Sequence, residues 1–160
     1  MRRHAERIER DRARLVAQAG EFTDLRTWAA CTVRPVTGHL DSLGSPSWYA
    51  RFMTQVTVDP ALRTLVSRVL DAESPSLLRL RDELYRLLPE LPPEAFAERG
   101  AMTRHLITQM CVEREHGLAE GSASHHRSWD EVADGLVDAI VALWRAPVTT
   151  DAGGSASGGP

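Results

Sequence analysis

Three dipeptides punctuate the middle of this chain: Ser45-Pro46, Asp59-Pro60 and Ser74-Pro75. In each, a side-chain oxygen able to accept from free backbone N–H groups precedes a proline. That proline lacks the N–H that a first helical turn leaves unpaired in any case. Such a pair starts a helix and prevents the preceding one from running through. The residues between the breaks fit this division. Trp48, Phe52 and Val56 recur every four residues, Leu62, Leu65, Val66 and Val69 follow the second break, and Leu77, Leu80, Leu84, Leu87 and Leu88 follow the third. Each set falls on one face of a helix. A chain divided this way is expected to fold as short helices around a shared core.

The flanking segments are helical too. His4, Ile8 and Leu15 draw a thin apolar line on a charged first helix that ends near Gly20. Thr23 or Asp24 can cap a second helix carrying Leu25, Trp28, Thr32, Val36 and Leu40 on one side. Pro35 lies within it and predicts a kink that frees the Cys31 carbonyl. After the rigid stretch from Pro89 to Pro93, a long helix is predicted over Glu94–Leu118, stopped by Gly117 or Gly121. Ser128 and Glu131 form a capping box that opens the last helix. The fold class is therefore all-α, a bundle of about seven helices with no alternating strand pattern.

The 160 residues suffice for one domain with one sizeable core. We place that domain at residues 1–147, with 148–160 a Gly-, Ser- and Ala-rich tail expected to be disordered. No apolar run is long enough to cross a bilayer, and Met1-Arg2-Arg3 leads into more charge rather than into a signal peptide. Cys31 and Cys111 lie far apart in helical patterns, which argues for free thiols in a reducing cytoplasm. A net charge of −3 makes the chain a poor polyanion binder, although all nineteen basic residues are arginine. Opposite charges one turn apart, such as Glu6 and Arg10, make the basic first helix a solvated face.

Four passages, taken in order, resemble the regulatory half of TetR-type transcriptional repressors: R-R-H-A-E-R-I at Arg2 to Ile8, S-W-Y-A-R-F at Ser47 to Phe52 with D-P-A-L-R at Asp59 to Arg63, L-P-P-E at Leu91 to Glu94 followed by Arg99, and D-G-L-V-D-A-I-V-A-L-W-R-A-P at Asp134 to Pro147. The resemblance spans nearly the whole patterned chain. It implies a cavity for a small-molecule effector among the middle helices. It further implies that the last two long helices pair with their counterparts in a homodimeric four-helix bundle. No position matches the family's DNA-reading helix-turn-helix. Arg2 to Ile8 resembles the helix that leaves that domain, so a DNA-binding domain is expected to be absent and this chain to make no DNA contact alone.

Aromatic walls with a few polar groups suit a drug-sized ligand. Trp28, Thr32, Trp48, Phe52, Met53, Leu84, His105 and Gln109 are the candidate lining, and the plainer reading is that the aromatic members are core. Leu136, Ile140 and Trp144, at i, i+4 and i+8 on a broad apolar stripe, are the candidate dimer face. Glu113, Glu115, His116, His125 and His126 do not make a metal site, because the adjacent histidines belong to a loop and point apart. No nucleophile elbow, cysteine–histidine pair or phosphate loop appears, so neither catalysis nor a cofactor is expected. The reading is a ligand-sensing dimerisation module for a small apolar or amphipathic molecule. Its rivals are a headless interaction protein that pairs with a full-length relative, and a small-molecule carrier.

Overall fold

The computed structural model describes residues 2–44, 47–51, 74–121 and 128–149. Within them run five helices: α1 (Arg2–Ala19), α2 (Leu25–Leu43), α3 (Pro75–Leu87), α4 (Pro93–Glu120) and α5 (Trp129–Arg145). Residues 49–51 add the beginning of a further helical segment, and no strand occurs among the described residues. The Ser45-Pro46 and Asp59-Pro60 junctions, and the helices they were expected to open, lie outside the described residues, as does the tail from residue 150.

The helix ends follow the capping chemistry. Asp24, rather than Thr23, caps α2 by accepting from the Thr27 amide at 2.8 Å and from its hydroxyl at 2.9 Å. Those bonds hold the Asp24 carboxyl below the usual carboxylate range. Ser128 and Glu131 close both halves of the capping box on α5, at 3.1 and 2.7 Å. Gly121, in the left-handed region at φ 62°, terminates α4. At α3 the chemistry differs from expectation. Pro75 does start the helix, but the Ser74 side chain makes no capping bond. Glu9 of α1 takes the role instead, accepting from the Ser76 amide at 2.9 Å. The same carboxylate pairs at 2.9 Å with Arg12, which is itself buried.

α2 is the central helix, packed by α1, α3 and α5. Neighbours on several sides explain why its buried residues are not confined to one stripe. Leu25, Trp28 and Leu40 are joined by Ala29, Cys31, Val33, Pro35, Thr37 and His39, whereas Thr32 and Val36 are only partly covered. The helix runs through Pro35 without interruption. Outside the apolar seam, Arg26 pairs with Asp138, and Arg34 with Asp134 at 2.6 Å and with Asp130 at 3.8 Å. As the α2 partner moves forward, the α5 partner moves back, so the two helices run antiparallel. These exposed pairs set register more than they add stability.

The main core draws on every helix: Val16 from α1, Ala29 and Val33 from α2, Leu80 and Leu84 from α3, Phe96 from α4, and Val132, Ala133, Leu136, Val137 and Ile140 from α5. Trp28 and Trp144 meet edge to face at its centre, with ring centroids 5.6 Å apart, and Phe96 meets Trp144 likewise at 5.1 Å. Both buried indoles find acceptors: Trp28 Nε1 donates to the Leu80 carbonyl at 2.8 Å and Trp144 Nε1 to Thr103 Oγ1 at 2.9 Å. A smaller second cluster holds Leu40, Ala50, Cys111 and Trp129.

Arg99, 8% exposed, ties the start of α4 to the end of α5 by donating to the carbonyls of Trp144, Ala146 and Pro147 at 3.0, 2.6 and 3.3 Å. These are carbonyls that a helix end leaves unpaired. Replacing Arg99 by Met keeps much of the packing but removes a charged donor from all three acceptors. An Arg99→Met variant should lose about 2 kcal/mol by urea unfolding monitored by circular dichroism.

Candidate functional site

A buried carboxyl group lies beside the second core cluster, where α4 meets the segment 47–51. Glu115 of α4 is 2% exposed. Its two oxygens are committed to the far segment: Oε1 accepts from Ser47 Oγ at 2.8 Å, and Oε2 from the Arg51 amide at 3.2 Å. Arg51 adds an ion pair at 3.8 Å and donates to the Ser47 carbonyl at 3.1 Å. A buried carboxylate needs such partners to remain ionised. Glu115 thus anchors the start of the helical turn at 49–51 on α4. Arg51 also lies over the Trp48 ring, 3.6 Å from its centroid.

The opposite side of this region is aromatic. Tyr49 contacts His4 of α1 and His39 of α2, with ring centroids 4.7 and 5.5 Å apart. Burial pushes the Tyr49 phenol up and, more than any other cause, pulls His39 down. Cys111, 2% exposed, has its thiol pushed up to about 12, first by burial and then by the nearby Glu115 charge. Both cysteines are free, and burial raises Cys31 as well.

The described members of the proposed ligand lining do not share one wall. Trp28 and Leu84 belong to the main core, at 5% and 3% exposure. Thr32 is half-buried and gives its hydroxyl to the Trp28 carbonyl at 3.0 Å. Trp48 turns outward at 64% exposure, held by Arg51 rather than by the core. His105 and Gln109 lie one turn apart on the exposed side of α4, with Met102 and Met110 beside them. Phe52 and Met53 lie outside the described residues.

The proposed dimer residues are also placed differently from expectation. Leu136, Ile140 and Trp144 are 3%, 0% and 2% exposed in the single chain. Their stripe is consumed by α2 and α4, because the central α2 needs a broad apolar wall against it. A second copy has no access to them in this arrangement.

The Glu115 anchor and the His4–His39–Tyr49 group are not apparent from local spacing. Glu115 and Ser47 are 68 residues apart, and no periodicity links them. The one sequence hint was a histidine, His39, on a helix otherwise rich in buried apolar residues. Glu113 and His116 are exposed, and His125 and His126 lie outside the described residues. Among the described residues no group of three or more metal-ligating side chains converges.

Two outcomes follow from these placements. Trp28→Phe removes the indole's bond to the Leu80 carbonyl and part of its packing from the core and should cost about 1–3 kcal/mol in chemical denaturation, whereas Trp48→Phe should cost less than about 0.5 kcal/mol. Near pH 8 both thiols stay protonated and covered, so a disulfide reagent should label neither cysteine in the folded protein and both in denaturant.

Compared with known proteins, residues 30–142 match a family described as tetracyclin repressor-like, C-terminal domain. No curated protein and no solved structure gives a significant match. The matched span runs from the middle of α2 almost to the end of α5. It takes in α2 from Ala30 onward, the Glu115 anchor and most of α5. No described helix is long and apolar enough to cross a membrane. On this match and its all-helical architecture, the chain belongs to the family of tetracyclin repressor-like C-terminal domains.

Proposed function

We propose that this domain is a regulatory rather than a catalytic module, which binds a small apolar or amphipathic effector and assembles as a homodimer. The family match over residues 30–142 carries this reading.

The effector site is assigned to the seam between the two core clusters. Ile107 packs against both clusters, and Val36, Tyr49 and Val112 flank the second without being fully covered. The half-buried Thr32 lies one turn before Val36 on α2. Apolar surface with a hydroxyl and a phenol at its edge matches an amphipathic ligand better than a charged one. The segment anchored by Glu115 leads directly toward Phe52 and Met53, which keep their place as candidate lining.

The dimer contact is assigned to the outer faces of α4 and α5, in place of the stripe that the core consumes. Along α4, Met102 and Met110 are 51% and 40% exposed, with half-buried Leu106 between them. α5, packed on α4, carries Gly135, Ala139 and Ala142 at i, i+4 and i+7, and the two alanines are exposed. Small residues at this spacing permit close helix approach, and methionines adapt to an opposing surface.

Mass spectrometry of the purified protein should detect a co-purified apolar or amphipathic molecule. Ile107→Trp, which fills the seam, should abolish its retention while leaving the helical circular dichroism intact. Unchanged retention would place the ligand elsewhere. On a sizing column the chain should run as a dimer, and Ala142→Glu should yield folded monomer. Ile140→Glu should instead unfold the domain, because it buries an unpaired charge at a position with no exposure. An Ala142→Glu protein that stayed dimeric would refute this interface.

A further inference from the structure

His4 in the first turns of α1 and His39 near the end of α2 face one another, with Nδ1 of His4 2.9 Å from Nε2 of His39. Their rings meet edge to face, with centroids 5.1 Å apart, and Tyr49 packs on both. His39 is 3% exposed and its other nitrogen, Nδ1, is buried without a hydrogen-bond partner. His4 is half-buried.

We infer that this histidine pair is a proton-operated latch, which holds the N-terminal turns of α1 on α2 at neutral pH and releases them in mild acid. A nitrogen–nitrogen contact of this length needs one proton between the two rings. The pair is intact when both rings are neutral, and the contact survives one added proton, because one N–H still lies between the two nitrogens. A second proton would set two N–H groups, and two positive charges, against each other inside the fold.

The surroundings make that second proton costly. Arg7 of α1 adds a further positive charge that disfavours it, and Asp11 of α1 opposes this more weakly. Tyr49, from the 49–51 segment, is neutral in this range because its phenol is raised. From α4, Glu115 is engaged with Ser47 and Arg51, and Cys111 stays a neutral thiol within the cluster around Leu40. His39 is accordingly depressed, with burial the leading cause and His4 the next. The sign follows from linkage. The released state binds more protons than the docked one, so docking is complete above the ordinary histidine value of 6.5 and weakens as pH falls through the lowered value. Each pH unit in that window raises the released population by at most about tenfold.

Hydrogen exchange of the full-length chain, read by mass spectrometry and corrected for intrinsic rates, tests the latch. Between pH 7.5 and 5 (chosen to bracket the histidine range), α1 peptides covering His4 to Asp11 should open several-fold more. Peptides around Ile140 should be unaffected. His4→Gln and His39→Gln keep polar side chains that do not titrate and should flatten the α1 response. If the wild-type α1 response is absent, or is the same in both variants, the latch does not exist. Should a variant fail to fold, imidazole nitrogen spectra of the wild-type protein decide. A His39 that titrates below 6.5, coupled to His4, supports the latch. One that titrates independently at or above that value overturns it.

Discussion

The two tryptophans at the centre of the core make the strictest demand in this fold. An indole is large and apolar, but its single N–H must find an acceptor once water is excluded. Trp28 solves this by reaching the backbone of α3, and Trp144 by reaching the Thr103 hydroxyl of α4. The Thr103 hydroxyl itself donates to the Arg99 carbonyl at 2.8 Å. Arg99 then returns to the last carbonyls of α5. One aromatic contact and its hydrogen bonds therefore set the mutual positions of α2, α3, α4 and α5. Movement of any one of them would leave a buried donor unpaired.

Around that centre, helix ends are satisfied by groups from elsewhere in the chain. Glu9 serves the start of α3, and Glu115 holds the start of the turn at 49–51. Arg79 and Arg86 of α3 grip the Gly20 and Phe22 carbonyls between α1 and α2. Such contacts cost conformational freedom, and the buried Glu115 among them would be penalised without its partners. Ile107 packs against both core clusters. A molecule inserted at Ile107 would press on both, and through Glu115 on the segment that leads to Phe52 and Met53. A sensing domain requires such coupling, because a ligand moves an equilibrium only through differential contacts with its two states.

α4 stands apart in length and in its incomplete covering. It has 28 residues against the 17 of α5, and Met102, His105, Gln109 and Met110 on its outer face are exposed. Methionine, glutamine and histidine occupy that face, a mixture suited neither to a deep core nor to a fully solvated surface.

Much of the local architecture could be read in the sequence. Asp24, Ser128 with Glu131, Gly121 and the proline of Ser74-Pro75 each act through groups within a few residues, and all mark the helix boundaries they suggest. The kinship of the chain was also legible, in passages ordered from Arg2 to Pro147. What periodicity did not reveal was the use made of each apolar face. The stripe of Leu136, Ile140 and Trp144 has the same spacing whether it meets α2 or a second molecule, and Trp48 carries the same indole whether core or surface encloses it. That choice depends on which helix occupies the centre, a property of the assembled chain. The Glu115 anchor and the His4–His39 pair depend on it too. Their partners are distant in sequence, and only the burial created by tertiary packing makes their charges consequential.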